Sequence, residues 1–400
     1  MARGSGISQD ELRKVNLSAV LTRVHASGPT SRAALTAELG LNRSTIGDLT
    51  AHLEALGLVS EMRPTQSRGA GRPSHLVVPR EDVTVVAVGL DVDRIVGALV
   101  GLGGVVLERR ERLHQRGGHD ARAVAVSVLQ SIEELLSLPA AERCLGVGVS
   151  VPGVVRSDDG LVRFAPNLGW VDEPFTEMLA SKIDLPLRTG NDANLGALAE
   201  HLRGAAVGIK DLAYLSGSVG IGGGFLVDGQ PLRGWGGYAG EIGHLLVDSQ
   251  GRPCRCGATG CWETQVGENH LLEAAGRLPG GGPQAVAEVI TAATAGDARA
   301  AAAIVEVAEW TGVGLRAIVN IFNPQAIVLG GVLAQVWMAR NDVMTRSMSS
   351  TTLHALLEQV RVMPAALGDD SSLIGAAEMA FEGLLADPLA EFGRSQAHPA

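Results

Sequence analysis

Three observations predict a small, mainly α winged helix-turn-helix followed by a larger α/β body of two lobes. The first 80 residues combine helical periodicity with positive charge, ten Arg or Lys against six Asp or Glu. From Val83 onward, short Val-rich runs separated by Gly alternate with helical stretches, the pattern of α/β layers around a mixed sheet. That rhythm occurs twice, which predicts two related lobes with a cleft between them. The composition fits this division. A formal net charge of −10 over 400 residues splits into +4 for residues 1–80 and −14 for the rest, a basic head on an acidic body. With 46% hydrophobic and 19% charged residues the chain can bury a sizeable core, which argues against general disorder. No stretch of 18 uncharged apolar residues occurs and the N-terminus lacks a signal-peptide run, so a cytoplasmic protein without a membrane partner is expected.

The head reads as follows. Leu17, Val20, Leu21 and Val24 mark one face of a helix ending near Gly28-Pro29. Thr30 or Ser31 caps a second helix through Ala33–Leu39, stopped by Gly40. Ile46, Leu49, Leu53 and Leu56 supply the buried stripe of a third. Two helices joined by a short Gly-containing turn form a helix-turn-helix, whose second helix enters the DNA major groove N-terminus first. Asn42, Arg43, Ser44, Thr45 and Asp48 are the candidate contacts there, with Arg32 on the preceding helix. The segments Leu58–Met62 and His75–Val78 flank a basic loop, the strand-loop-strand of a wing, and Arg68 and Arg72 in that loop suit a phosphate backbone or a narrow minor groove. The competing reading is a packing or dimerisation module whose basic loop is only a linker.

In the body, Val83–Leu90, Ile95–Val100, Val105–Leu107 and Cys144–Val149 read as strands with a helix at Ala121–Leu138. The second set comprises strands Leu212–Leu215, Gly224–Val227 and Ala326–Leu329, with a helix around Ala300–Ile321. Cys254, Cys256 and Cys261 place three thiols within eight residues, and His244 lies ten residues before the first. Three thiolates and an imidazole make a closed tetrahedral set, so a structural Zn²⁺ is the expected cofactor, against reduced thiols in a loop. Cys144, in an apolar strand, reads as core.

Gly240-Glu-Ile-Gly-His244 followed by Cys254-x-Cys256-Gly-x-x-Gly-Cys261-x-Glu263 resembles the signature of the ROK family, which joins bacterial repressors, open reading frames and sugar kinases. The resemblance extends from about Val83 to Gly383, and the attached winged helix resembles the layout of the family's repressor branch. It implies an actin-like, sugar-kinase-type fold for the body. The expected division is a winged helix at 1–80 and a sugar-binding unit at 81–386. Lobe one spans about 81–190 plus a C-terminal helix at 371–386, lobe two spans 191–370, and a flexible tail covers 387–400. The resemblance also implies that Gly153, Asn167, Asn191, Asp192, Glu241, His244 and Glu263 bind sugar, with His244 placing one ring nitrogen on zinc and the other toward the ligand. Taken singly, Asn191, Asp192 and Asn167 also read as turn and cap residues.

Asp192 matches the position that serves as base in the family's kinases, but the phosphate loops depart from the kinase pattern. The first, Asp-x-Gly-Gly-Thr in those kinases, is here Asp91-Val92-Asp93-Arg94-Ile95, and the second carries Val219 in place of a threonine. Gly330-Gly331 still resembles the adenosine-side turn. The expectation is a non-enzymatic regulator, a homodimer or homotetramer that represses from a palindromic double-stranded DNA operator and responds to a sugar effector. The competing readings are an ATP-dependent sugar kinase that also binds DNA and a regulator controlled by a protein partner.

Overall fold

The computed structural model describes residues 8–63, 74–114, 116, 120–350 and 353–390. Helix α1 (Gln9–Ser27) starts in a capping box, the Ser8 hydroxyl accepting from Glu11 N–H at 3.1 Å while the Glu11 carboxylate accepts from Ser8 N–H at 2.8 Å. A short strand β1 (Thr30–Ser31) leads into α2 (Arg32–Leu39), capped by Ser31, and Asn42 caps α3 (Arg43–Ala55). Leu17, Val20, Leu21 and Val24 close on Leu35, Ile46, Leu49 and Leu53, all 4% exposed or less. Leu56, expected in the same stripe, falls past the end of α3 and is only half-buried. Strands β2 (Val59–Met62) and β3 (Leu76–Pro79) pair antiparallel and β1 adds to β3, giving the sheet of a wing in the order β1-β3-β2. Residues 64–73, with Arg68 and Arg72, lie outside the described residues.

Lobe one opens with an antiparallel meander, β4 (Thr84–Leu90), β5 (Arg94–Gly101) and β6 (Val105–Leu113). Helix α4 (Ala121–Leu136) crosses to β7 (Cys144–Val151), which runs parallel to β4. A small sheet of β8 (Val154–Val155), β9 (Val162–Ala165) and β10 (Trp170–Glu173) precedes α5 (Phe175–Ala180) and β11 (Leu187–Asn191), the latter parallel to β7. Helix α6 (Asp192–Arg203) then enters lobe two. There β12 (Leu212–Gly217), β13 (Ile221–Val227) and β14 (Gln230–Pro231) repeat the meander. Helices α7 (Glu263–Val266), α8 (Glu268–Ala274), α9 (Gly282–Thr294) and α10 (Ala298–Phe322) lead to β15 (Ala326–Gly330), parallel to β12. Helices α11 (Gly331–Ser349) and α12 (His354–Leu357), strand β16 (Arg361–Pro364) and helix α13 (Ser371–Ala386) complete the chain. The two sheets, β6-β5-β4-β7-β11 and β14-β13-β12-β15-β16, have the same order and the same pairing senses. The twofold rhythm of the sequence is therefore a twofold topology.

Two departures from the sequence reading have physical causes. Strand β6 runs six residues beyond the expected Leu107, through Glu108-Arg-Arg-Glu-Arg112, because an edge strand pairs on one side only and carries charges on the other. The first four residues of the tail expected at 387–400 are packed against α1. Asp387–Ala390 turn back onto α1, where Lys14 Nζ lies 3.4 Å from Asp387 Oδ2 and Pro388 is buried. Residues 391–400 are outside the described residues.

Helix α13 packs on lobe one's sheet and against α6. Gly375 allows that approach, since a Cβ there would sit 2.0 Å from the Leu195 carbonyl oxygen. The head shares this core: Leu17, Val20 and Leu58 join Val83, Val85, Leu373, Ala376 and Phe381 in one apolar cluster. Burial of such side chains contributes roughly 1.5–3 kcal/mol each, so the head is held by packing as well as by the chain. Among the described residues no helix is long and apolar enough to cross a membrane.

Candidate sugar cleft, metal centre and DNA-facing helix

The floor of the cleft is the junction of β11 and α6. Asn191 caps the helix, its Oδ1 accepting from Asn194 N–H at 2.9 Å, while its Nδ2 donates to the Gly153 carbonyl at 2.9 Å. Gly153 and Asn191 are thus joined directly, and part of Asn191's capacity is spent on local structure. Asp192 Oδ1 accepts from Ala193 N–H at 2.8 Å. Burial pushes the Asp192 carboxyl up to about 7, with the like charges of Asp91 and Glu241 adding to the effect and the Ala193 N–H opposing it. Glu241 is also raised, first by loss of water around it and then by Glu263, with His244 acting against the shift. These residues line one cavity with Gly153, Asn167, His244 and Glu263. All seven sugar candidates therefore converge.

Phe164, Ser216 and Ser218 line the same cavity and were not singled out from the sequence. Phe164 adjoins the Ala165-Pro-Asn-Leu-Gly-Trp170 segment, so position alone gave a signal. Arg255 also went unread. Its guanidinium donates to Asn167 Oδ1 across the cleft, and nothing in the spacing of the cysteines indicates a partner 88 residues away.

The metal-ligand candidates lie beside the cleft. One ligand atom from each of His244, Cys254, Cys256 and Cys261 falls within 4.8 Å of every other. The His244 Nδ1–Cys254 Sγ and Cys256 Sγ–Cys261 Sγ separations are both 3.7 Å. A tetrahedral zinc with bonds of about 2.3 Å to sulfur has edges of about 3.8 Å, so the donor set fits a four-coordinate dication. Gly260 makes the knuckle possible: its φ is 78°, and a Cβ would lie 1.6 Å from the Asp248 carbonyl oxygen. His244 directs Nδ1 to the thiols, while Nε2 lies 4.0 Å from Glu241 on the cleft side. The Cys254 thiol donates to Glu263 Oε1 at 2.9 Å, and burial, with that carboxylate, pushes the thiol above the usual range.

A second cavity adjoins the first and shares Asp192, Ser216 and Ser218 with it. A tight turn, Asp91 N–H to the Arg94 carbonyl at 2.9 Å, leaves Val92 and Asp93 at the tip of the β4–β5 hairpin. Arg116 spans from Asp93 Oδ2 at 2.8 Å to Glu268 Oε1 at 2.9 Å, linking lobe one to the start of α8. Asp91, Arg94 and Arg116 face Ser218, Val219 and Gly331 across this cavity.

On the head, Asn42, Arg43, Ser44 and Asp48 are exposed at the start of α3 and Thr45 is half-buried. The Asn42 Oδ1 is engaged by Thr45 N–H at 2.8 Å and by Ser44 Oγ at 2.7 Å. Arg32, the candidate contact on α2, is half-buried. Its Nε donates to Glu61 Oε1 at 2.7 Å, bracing α2 against β2.

A ROK family profile matches residues 85–382. The xylose repressor of Bacillus subtilis (strain 168) is 29% identical over 379 residues, covering 94% of this chain and 97% of the relative. The glucokinase of Halalkalibacterium halodurans is 32% identical over 245 residues, 58% of this chain and 74% of that enzyme. A solved ROK family transcriptional regulator, a homologue of the E. coli Mlc protein, superposes with a TM-score of 0.77 at 24% identity, over 96% of this chain and 99% of that one. The relatives that match nearly end to end are repressors, while the glucokinase lacks a counterpart for much of the chain. With the profile spanning both lobes and the signature residues gathered around one cleft, the chain belongs to the ROK family.

Proposed function

We propose that this protein is a DNA-binding transcriptional repressor of carbohydrate genes whose operator affinity is set by a sugar bound in the cleft. The observation that carries the reading is the pairing of an exposed α3 N-terminus with a cleft where Asn167, Asn191, Asp192, Glu241, His244 and Glu263 converge, beside a cavity in which Arg116 is tied to Asp93 and Glu268. A sugar needs converging donors and acceptors, which Asn167, Asp192, Glu241, His244 and Glu263 supply. Phosphoryl transfer needs open backbone N–H groups and counter-charge around the γ-phosphate, and carboxylates at Asp93 and Glu268 oppose both.

In this reading His244, Cys254, Cys256 and Cys261 would hold a structural Zn²⁺, which would stabilise the thiolates. Glu263, 2.9 Å from Cys254 Sγ and also lining the cleft, is the side chain shared by the metal-ligand and sugar candidates. The protein acts as a homodimer or homotetramer that places two α3 helices on a palindromic duplex. The test is fluorescence anisotropy on duplexes that the purified protein selects from a random pool, titrated with D-xylose, named in its relatives' names, and with D-glucose. Binding released by one sugar supports the reading; no DNA binding under any condition refutes it.

One observation favours a second reading, a sugar kinase. Asp192 retains the base position with a carboxyl raised to about 7, and Gly330-Gly331 remain beside the cleft. Sugar-dependent ADP release that disappears in Asp192→Asn would establish it.

A further inference from the structure

Helix α6 touches both ends of the regulatory problem. Its first residue, Asp192, lies in the candidate sugar cleft, and its last, Arg203, lies roughly 16 Å away at a rise of about 1.5 Å per residue. Arg203 is 12% exposed and sits in a closed polar node with His25 of α1 and Glu378 of α13, which are 1% and 2% exposed. Arg203 Nε pairs with Glu378 Oε1, and Nη1 donates to the Gly103 carbonyl at 2.8 Å and the His25 carbonyl at 3.2 Å. Gly103 N–H lies 2.9 Å from His25 Nδ1, and His25 Nε2 lies 2.9 Å from Glu378 Oε2 and 2.7 Å from Arg203 Nη2. One carboxylate, one guanidinium and one imidazole thus join the last turn of the head's first helix to the hinge pair α6–α13.

The hinge pair itself is tied by a second buried carboxylate. Glu200, one turn before Arg203, is fully buried and accepts from Leu367 N–H at 2.9 Å, Ala366 N–H at 3.1 Å and Ser371 Oγ at 2.9 Å. A rotation of α6 therefore carries the start of α13 with it. A buried guanidinium has few alternative acceptors, so the node is costly to distort.

We propose that His25, Arg203 and Glu378 are positioning residues that transmit sugar occupancy to the DNA-reading head. A ligand that re-seats Asp192 and Asn191 turns α6 as a rod. Arg203 then leaves the His25 and Gly103 carbonyls, and α1 is freed to re-orient α3. The inference rests on the repressor reading above. It locates the coupling in a buried contact between α6 and α1, where an undirected change in lobe spacing would leave that contact intact.

The experiment uses the full chain and the selected duplex, with and without saturating D-xylose, and with D-glucose in parallel. Arg203→Lys keeps the charge beside Glu378 but cannot reach both carbonyls. In the wild type the sugar is expected to change operator Kd by about 5–150-fold. In Arg203→Lys the ratio is expected to fall below about 3-fold because the sugar-free operator Kd weakens toward the sugar-bound wild-type value, while the calorimetric sugar Kd stays within about 3-fold of wild type. A wild-type ratio in Arg203→Lys overturns the proposal. Hydrogen exchange on the unmutated protein gives an answer independent of the variant's folding. Amides of residues 20–27 and 103 are expected to lose protection when sugar binds, and unchanged protection there overturns the proposal. If no sugar alters operator binding by the wild type, the repressor reading fails and this inference with it, an outcome distinct from a responsive wild type and an equally responsive variant.

Discussion

Asp192 shows how one side chain sets a pH window. Its carboxyl is pushed up to about 7 in the fold against an ordinary 3.8. A sugar hydroxyl is accepted best by the ionised form, so sugar affinity measured by calorimetry is expected to rise from pH 6 to pH 8. Asp192→Asn should flatten that profile. For stability the sign is the reverse. Below about 3.8 the carboxyl is protonated in folded and unfolded chains alike, and between about 3.8 and 7 only the fold retains the proton. The contribution is therefore lost as pH rises through that window. Urea midpoints at pH 5 and pH 7 should show a smaller decrease in Asp192→Asn than in the wild type. At the metal centre, Cys256→Ser is expected to lower bound zinc in elemental analysis and weaken sugar binding by about tenfold through Glu263, an effect of about 1.4 kcal/mol. The ligand set was legible in sequence because three thiols in eight residues have few other uses. Arg255, Arg116 and Arg203 were not, because an arginine's partner is fixed by tertiary packing and leaves no local period.

Among the elements, those with a strong apolar period were legible almost to the residue. Helices α1 to α3, strands β4 and β15 and helix α10 follow it. Strand β6 was truncated in the reading because residues 108–112 are all Arg or Glu, and the small β8–β10 sheet was missed because strands of two to four residues give no period to count. Helix α3 makes two separable predictions. Asn42→Ala removes the cap and should cost about 1 kcal/mol of stability, read as a lowered Tm. Arg43→Ala should weaken operator binding by about tenfold, roughly 1.4 kcal/mol, with the sugar heat unchanged. The strap between lobes is a further test at this scale. Arg116→Ala leaves Glu268, 1% exposed, without its cation, and about 3 kcal/mol of stability should be lost in urea unfolding.

At the scale of the molecule, the charge division and the duplicated sheets were both readable, one by counting and the other by rhythm. The docking of head on body was not, since the apolar faces of α1 and α13 lie more than 340 residues apart in sequence and neither face names its partner. The +4 head predicts operator affinity that falls steeply with added salt, while sugar affinity, which involves no ion release, should hardly change. Anisotropy and calorimetry across a salt series would separate the two.

The placement of α13 has a consequence for how the protein is made. This helix closes lobe one's core, ties α6 through Ser371 and supplies Glu378 to the node under the head, yet it follows both lobes' sheets in the chain. On the ribosome the head and the lobe-one sheet emerge first with an uncovered apolar face, and neither is complete until α13 follows. A nascent chain without α13 thus lacks the residues that would restrain its DNA-reading helix.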